Sequence, residues 1–122
     1  MRVSVSGVRN TLHWMFDLSE EDGRYTERIL MANHTFSTAM PKGVTIDQVH
    51  PDHLALIALL VAHPFVGKSL MIPWEVSARF AESCMKISKY KVEFDGAGFP
   101  EYRCAEKARP ALAFSGGADS TA

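Results

Sequence analysis

The chain has 122 residues, of which 47% are apolar and 22% charged, and a formal net charge of -1. That length suits one small domain able to bury ~65% of its unfolded surface, and the composition is that of an ordinary soluble globular protein. The near-neutral charge excludes a global basic field that would draw in nucleic acid, and no apolar run approaches the ~20 residues that cross a bilayer.

Met1–Ser6 alternates polar and apolar residues and has no continuous apolar core of the signal-peptide kind, so the cytoplasm is the expected location. Val3 and Val5 mark a half-buried strand. Thr11–Leu18 is rich in aromatic and branched residues and reads as a second strand. Ser19–Gly23 ends in Asp-Gly, a strong turn signal, and Arg24–Met31 follows, so a hairpin is expected between Thr11–Leu18 and Arg24–Met31. Met40-Pro41-Lys42-Gly43 is a second break.

His50-Pro51-Asp52 opens a helix, with proline in the first turn and an acid near the positive end of the dipole. Leu54, Ile57, Leu60 and Val61 keep helical spacing, and His63-Pro64 ends the run. A helix apolar on all sides belongs in the middle of a core, so Leu56 and Leu60 are expected to be buried. Ser69–Ile72 reads as a short strand stopped by Pro73. Ser77 caps a helix to about Met85 that buries Phe80, Ala81 and Cys84. Ile87–Phe94 alternates as a strand, Asp95–Pro100 is a loop, and Glu101–Arg109 is a charged, solvated connector.

Several groupings suit chemistry on paper. Ala62–Ser69 fits a relaxed phosphate-loop pattern, but it follows a helix and precedes a strand, the reverse of what such a loop needs. His50, His53 and His63 could bind a metal only if helix geometry brought all three together, so capping or solvated roles fit them better. Trp14, Phe16 and Trp74 suit either a core or a stacking platform. Cys84 and Cys104 form no CxxC pair and read as buried thiols, with a disulfide or metal site as the alternatives.

The character changes at the C-terminus. Ala111-Leu112-Ala113-Phe114 is a continuous apolar run, as in a strand covered on both faces. Ser115-Gly116-Gly117-Ala118-Asp119-Ser120-Thr121 follows directly. Glycines allow a sharp turn and close approach to a ligand, a helix start offers N–H groups to an anion, and Ser115, Ser120 and Thr121 add hydroxyl donors. Asp119 would repel phosphate unless Mg²⁺ lay between them.

These residues resemble the SGGxDS signature of the PP-loop ATP pyrophosphatase superfamily, and LAFSGGADSTA is most similar to its deazaguanine-synthase-like branch. Five fixed positions arise by chance about once per million starting points at average residue usage. The resemblance covers about the last dozen residues. It implies that Ser115, Gly116, Gly117, Ala118, Asp119, Ser120 and Thr121 hold the pyrophosphate of ATP, with Asp119 on Mg²⁺. The implied reaction adenylates a substrate, a small molecule or one from a tRNA pathway, and releases pyrophosphate. The expected organisation is an α+β accessory region over residues 1–107, with an early β-hairpin, two helices and further short strands. Residues 108–122 are then the first strand and loop of an α/β catalytic domain. On this reading the chain is the N-terminal portion of an ATP-dependent enzyme and is inactive alone. The alternative is a binding or dimerisation module with a remnant loop and a homo-oligomeric partner.

Overall fold

The computed structural model describes residues 1–26 and 29–103. They form a two-layer α+β unit, with a five-stranded mixed sheet covered on one face by two helices. The hairpin expected early in the chain is present, but between other strands. β1 (Arg2–Val8) pairs antiparallel with β2 (Thr11–Asp17) from Arg2↔Asp17 to Val8↔Thr11. The turn between them is only Arg9-Asn10, with Arg9 at φ 54°, a conformation that side chains rarely adopt. Asn10 is tied down on both sides: its carbonyl accepts from Met40 N at 2.7 Å, and its Nδ2 donates to Pro41 O at 3.1 Å.

The segment after Asp22-Gly23 does not return along β2. Instead β3 (Arg24–Thr26) and β4 (Ile29–Leu30) pair with each other in a separate two-stranded ribbon. β2 is already saturated, by β1 on one side and β5 (Thr35–Ala39) on the other.

α1 (Pro51–Ala62) starts at Pro51 as expected and ends before His63, but His63 keeps αR backbone and a 3-10 turn carries on through Pro64, so the restriction before proline is not what ends it. β6 (Ser69–Glu75) follows and lies parallel to β1. β6 runs through Pro73 rather than stopping there. Its pairing with β7 is irregular between Ile72 and Glu75, which is where a residue without an N–H is tolerated. α2 (Ala78–Ile87) runs two residues past Met85, so Ile87 closes the helix. β7 (Lys91–Gly96) begins later than expected and lies parallel to β6, giving the strand order β5-β2-β1-β6-β7.

The strand pattern decides which face is covered. Val3, Leu12, Trp14, Phe16, Leu70 and Ile72 are buried, while Ser4, His13, Met15, Ser37 and Met71 face outward. Phe36 stacks on Trp14 with centroids 5.4 Å apart, and on Phe16 at 5.8 Å. Removing such side chains from water stabilises by roughly 1.5–3 kcal/mol each.

The expectation that Leu56 and Leu60 are core residues is wrong. α1 buries Leu54, Ala55, Ala58, Leu59 and Ala62 on the sheet, whereas Leu56 is 41% and Leu60 67% exposed. In a two-layer unit a helix has only one side to bury. The three alanines let α1 approach the sheet closely between Leu54 and Leu59, and Leu56 and Leu60 fall on the far side.

Asp22, just before the ribbon, gathers the start of the chain. Its carboxylate accepts from the Met1 ammonium at 2.7 Å, Ser19 N at 2.9 Å, Ser19 Oγ at 2.7 Å and Gly67 N at 2.9 Å. The ammonium also donates to Ser69 O at 2.8 Å, and neither charged group is exposed. Burial raises the carboxyl pKa, but these donors outweigh it, led by the ammonium, and hold it at about 2.

Among the described residues, no helix is long and apolar enough to cross a membrane.

Candidate functional site

Ser115, Gly116, Gly117, Ala118, Asp119, Ser120 and Thr121 lie outside the described residues, as do Cys104 and the Ala111–Phe114 run. The other candidate residues have definite places.

The Walker-like segment runs from the end of α1 through a 3-10 turn, His63–Phe65, into β6. Gly67 spends its N–H on Asp22, and a Cβ there would meet the Glu21 backbone, with the carbonyl carbon 2.7 Å away. Gly23 N donates to Phe65 O at 2.8 Å. The two glycine-bearing loops therefore clamp each other, and this one does not open around an anion.

The three histidines stay apart in role. His50 caps α1: its Nδ1 accepts from Asp52 N at 3.2 Å, and its Nε2 lies 2.9 Å from Pro100 O, so this ring is the Nε2–H tautomer with both nitrogens engaged. His53 is exposed, and His63 Nδ1 meets the Tyr90 hydroxyl at 3.0 Å. Among the described residues, no group of three or more His, Cys, Asp or Glu could hold a metal ion.

The N-termini of the two helices converge. Asp52, in the first turn of α1, accepts from Ser77 N at 2.8 Å and Ser77 Oγ at 2.7 Å, while Ser77 Oγ accepts from Phe80 N at 3.2 Å as the cap of α2. A carboxylate supplied by the chain thus already sits where two helix dipoles favour negative charge. It also reaches Cys84: burial first, and then the Asp52 charge, push that thiol up to about 11, so it stays protonated and inert at neutral pH.

Beside this junction lies an open cleft of about 770 Å³. It is bounded by the 3-10 turn Ile46–Gln48, the first turn of α1, Trp74 at the carboxyl end of β6, and the segment holding Phe99 and Tyr102. Trp74 is half-buried and meets Trp14 edge-on at 6.0 Å. Of the three aromatics weighed for stacking, Trp14 and Phe16 are core, and Trp74 alone borders a cavity.

Phe99 and Tyr102 were missed in the sequence because they fall in a stretch that reads as loop and connector. Their one signal is chemical: two large aromatics among Gly, Pro and charged residues. The backbone around Phe99 and Pro100 is tied down. Phe99 N donates to Val76 O at 3.1 Å, Val76 N donates to Gly96 O at 3.0 Å, and His50 grips Pro100. The His50 ring lies 5.1 Å from Phe99 and 5.5 Å from Tyr102, and Tyr102 lies 4.7 Å from His53. The arrangement can present aromatic surface to a flat ligand. Compared with known proteins, the chain matches no family model, no curated protein and no solved structure.

Proposed function

We propose that Ser115–Thr121 bind the pyrophosphate of ATP in an enzyme that adenylates its substrate, residues 1–107 being an accessory α+β region. The observation that carries this is the sequence order: an all-apolar run, Ala111–Phe114, passes directly into Ser-Gly-Gly-Ala-Asp-Ser. In this mechanism Gly116, Gly117 and Ala118 bring the backbone N–H groups up to the phosphates, and Ser115, Ser120 and Thr121 donate hydroxyl hydrogen bonds. A substrate oxygen attacks the α-phosphorus, the bond from that phosphorus to the bridging oxygen breaks, and pyrophosphate leaves with the electron pair. Asp119, with these hydroxyls, fits the oxygen-donor preference of Mg²⁺, which when bound neutralises charge on the leaving pyrophosphate. The engagement of Gly67 by Asp22 supports this ranking, because it removes the competing loop.

The test is the product of ATP turnover by the natural gene product. Pyrophosphate and AMP are expected. Asp119→Ala should lower turnover by ~10²-fold, as loss of one charge-stabilising contact does. Gly117→Val should lower it further by blocking the turn, and Lys68→Ala should leave it unchanged. Production of ADP and orthophosphate, or normal turnover by Gly117→Val, overturns the proposal.

The outward face of α1 favours a second role for the same region. Leu56, Leu60 and Val61 form a contiguous exposed apolar patch, suited to self-association. Sedimentation should show a concentration-dependent mass that Leu60→Lys abolishes. A monomer at every concentration refutes this role.

A further inference from the structure

We propose that the cleft between Trp74, Phe99 and Tyr102 is a binding site for an uncharged nucleobase, taken as the free base or nucleoside. Its volume, about 770 Å³, falls within the ~300–1,000 Å³ of small-molecule sites and has room for a base with its sugar. Phe99 and Tyr102 are 37% and 53% exposed. They are the two exposed aromatics among residues whose side chains are described, and both line this cleft. Aromatic rings held in place by surrounding bonds offer stacking surface at little ordering cost, and every nucleobase has a face to stack.

The polar groups decide what kind of flat ligand fits. The first turn of α1 would be the natural anion site, but its donors are engaged. Pro51 has no N–H, Asp52 N donates to His50 Nδ1, and His53 N and Leu54 N donate to His50 O. Among the described residues, no lysine or arginine lines the cleft. The lining does include the Asp47 carboxylate, and Gln48, whose Oε1 already accepts from Thr45 N at 2.9 Å. The cleft therefore repels a phosphate and attracts a ring carrying N–H donors, such as the amino edge of adenine or guanine. The cleft is formed by residues 46–102 and does not depend on the ATP reading.

Trp74 provides the readout, because it borders the cleft whereas Trp14 is buried. Adenosine and guanosine, titrated into the full chain, should change Trp74 fluorescence saturably. Their monophosphates should bind more weakly, and inorganic phosphate should have no effect. Tyr102→Ala, at an exposed position that the fold does not need, should weaken nucleoside affinity about tenfold, as removal of one stacking partner does. Asp47→Asn should narrow the gap between nucleoside and monophosphate. The proposal is overturned if no nucleoside gives a saturable change, if monophosphates bind more tightly than nucleosides, or if Tyr102→Ala binds like the parent. Since the signal comes from Trp74, its failure is distinct from a failure of ATP turnover.

Discussion

The Asp22 cluster allows a prediction worked through from geometry. Its carboxylate titrates at about 2 in the folded chain against 3.8 ordinarily. The folded state therefore releases this proton more readily than the unfolded one. The resulting stabilisation is fully present above the ordinary value and is lost as pH falls through the folded one. The difference between these two values corresponds to about 2 kcal/mol. Asp22→Asn removes this contribution and also strands the Met1 ammonium, which is fully buried and keeps only Ser69 O. Breaking one side of a buried pair costs ~3–5 kcal/mol, and asparagine retains one acceptor oxygen, so about 3 kcal/mol is expected at neutral pH. Urea denaturation of chains beginning at Met1, at neutral pH and again near pH 2, gives both numbers. The parent should lose stability steeply over that range, and the gap between parent and variant should shrink by about 2 kcal/mol. If the variant matches the parent at neutral pH, or keeps the same acid slope, the ammonium–carboxylate pair is not holding the loops together.

Leu59→Ala should lower stability by about 2–5 kcal/mol, and Leu60→Ala by less than about 0.5, although the two are neighbours in one apolar run; equal denaturation midpoints would contradict the two-layer packing. Ser77→Ala removes the cap of α2 and one donor to Asp52, and should cost about 1–3 kcal/mol in the same assay; an unchanged midpoint would show that the helix junction contributes nothing. Cys84 should resist alkylation at pH 8 until the chain unfolds, as followed by mass spectrometry of the peptide that carries it; rapid labelling of the native protein would contradict its burial and raised pKa.

Much of this fold was legible where local chemistry decides the outcome. Pro51 and Ser77 set helix starts through constraints that act within a turn, and structure and sequence agree there. The alternation of Tyr90, Val92 and Phe94 gave the correct inward face of β7, although the strand starts later than the pattern suggested. What failed was non-local. Nothing within Thr11–Leu18 says that its partners are Arg2–Val8 and Thr35–Ala39, and the Asp-Gly signal pointed to the nearer run. Leu56 and Leu60 look like core residues until the number of layers is known, because an apolar helix carries no mark of which side meets the sheet. The cleft was hidden for the same reason: Trp74, His50 and Phe99 are far apart in sequence, and the crossovers through α1 and α2 bring them together.

The described sheet also bears on where residues 108–122 belong. The strands alternate, with their buried residues toward the helices and Ser4, Ser6, His13, Met15, Ser37 and Met71 on the open face. A strand added to β5 or β7 would have one face on that open side. The run Ala111–Phe114 has no polar alternate, so joining this sheet would leave half of it facing solvent, whereas a sheet covered on both faces would bury all of it. On the proposed reading the boundary falls near Lys107 and the run belongs to a second body. Ending the chain at Lys107 should therefore leave urea midpoint and slope unchanged, within about 0.5 kcal/mol, because every described core residue is kept. A loss of several kcal/mol, or a smaller slope, would mean that Ala111–Phe114 pack into this core. The SGGADS loop would then be an extension of the α+β unit rather than the opening of another domain.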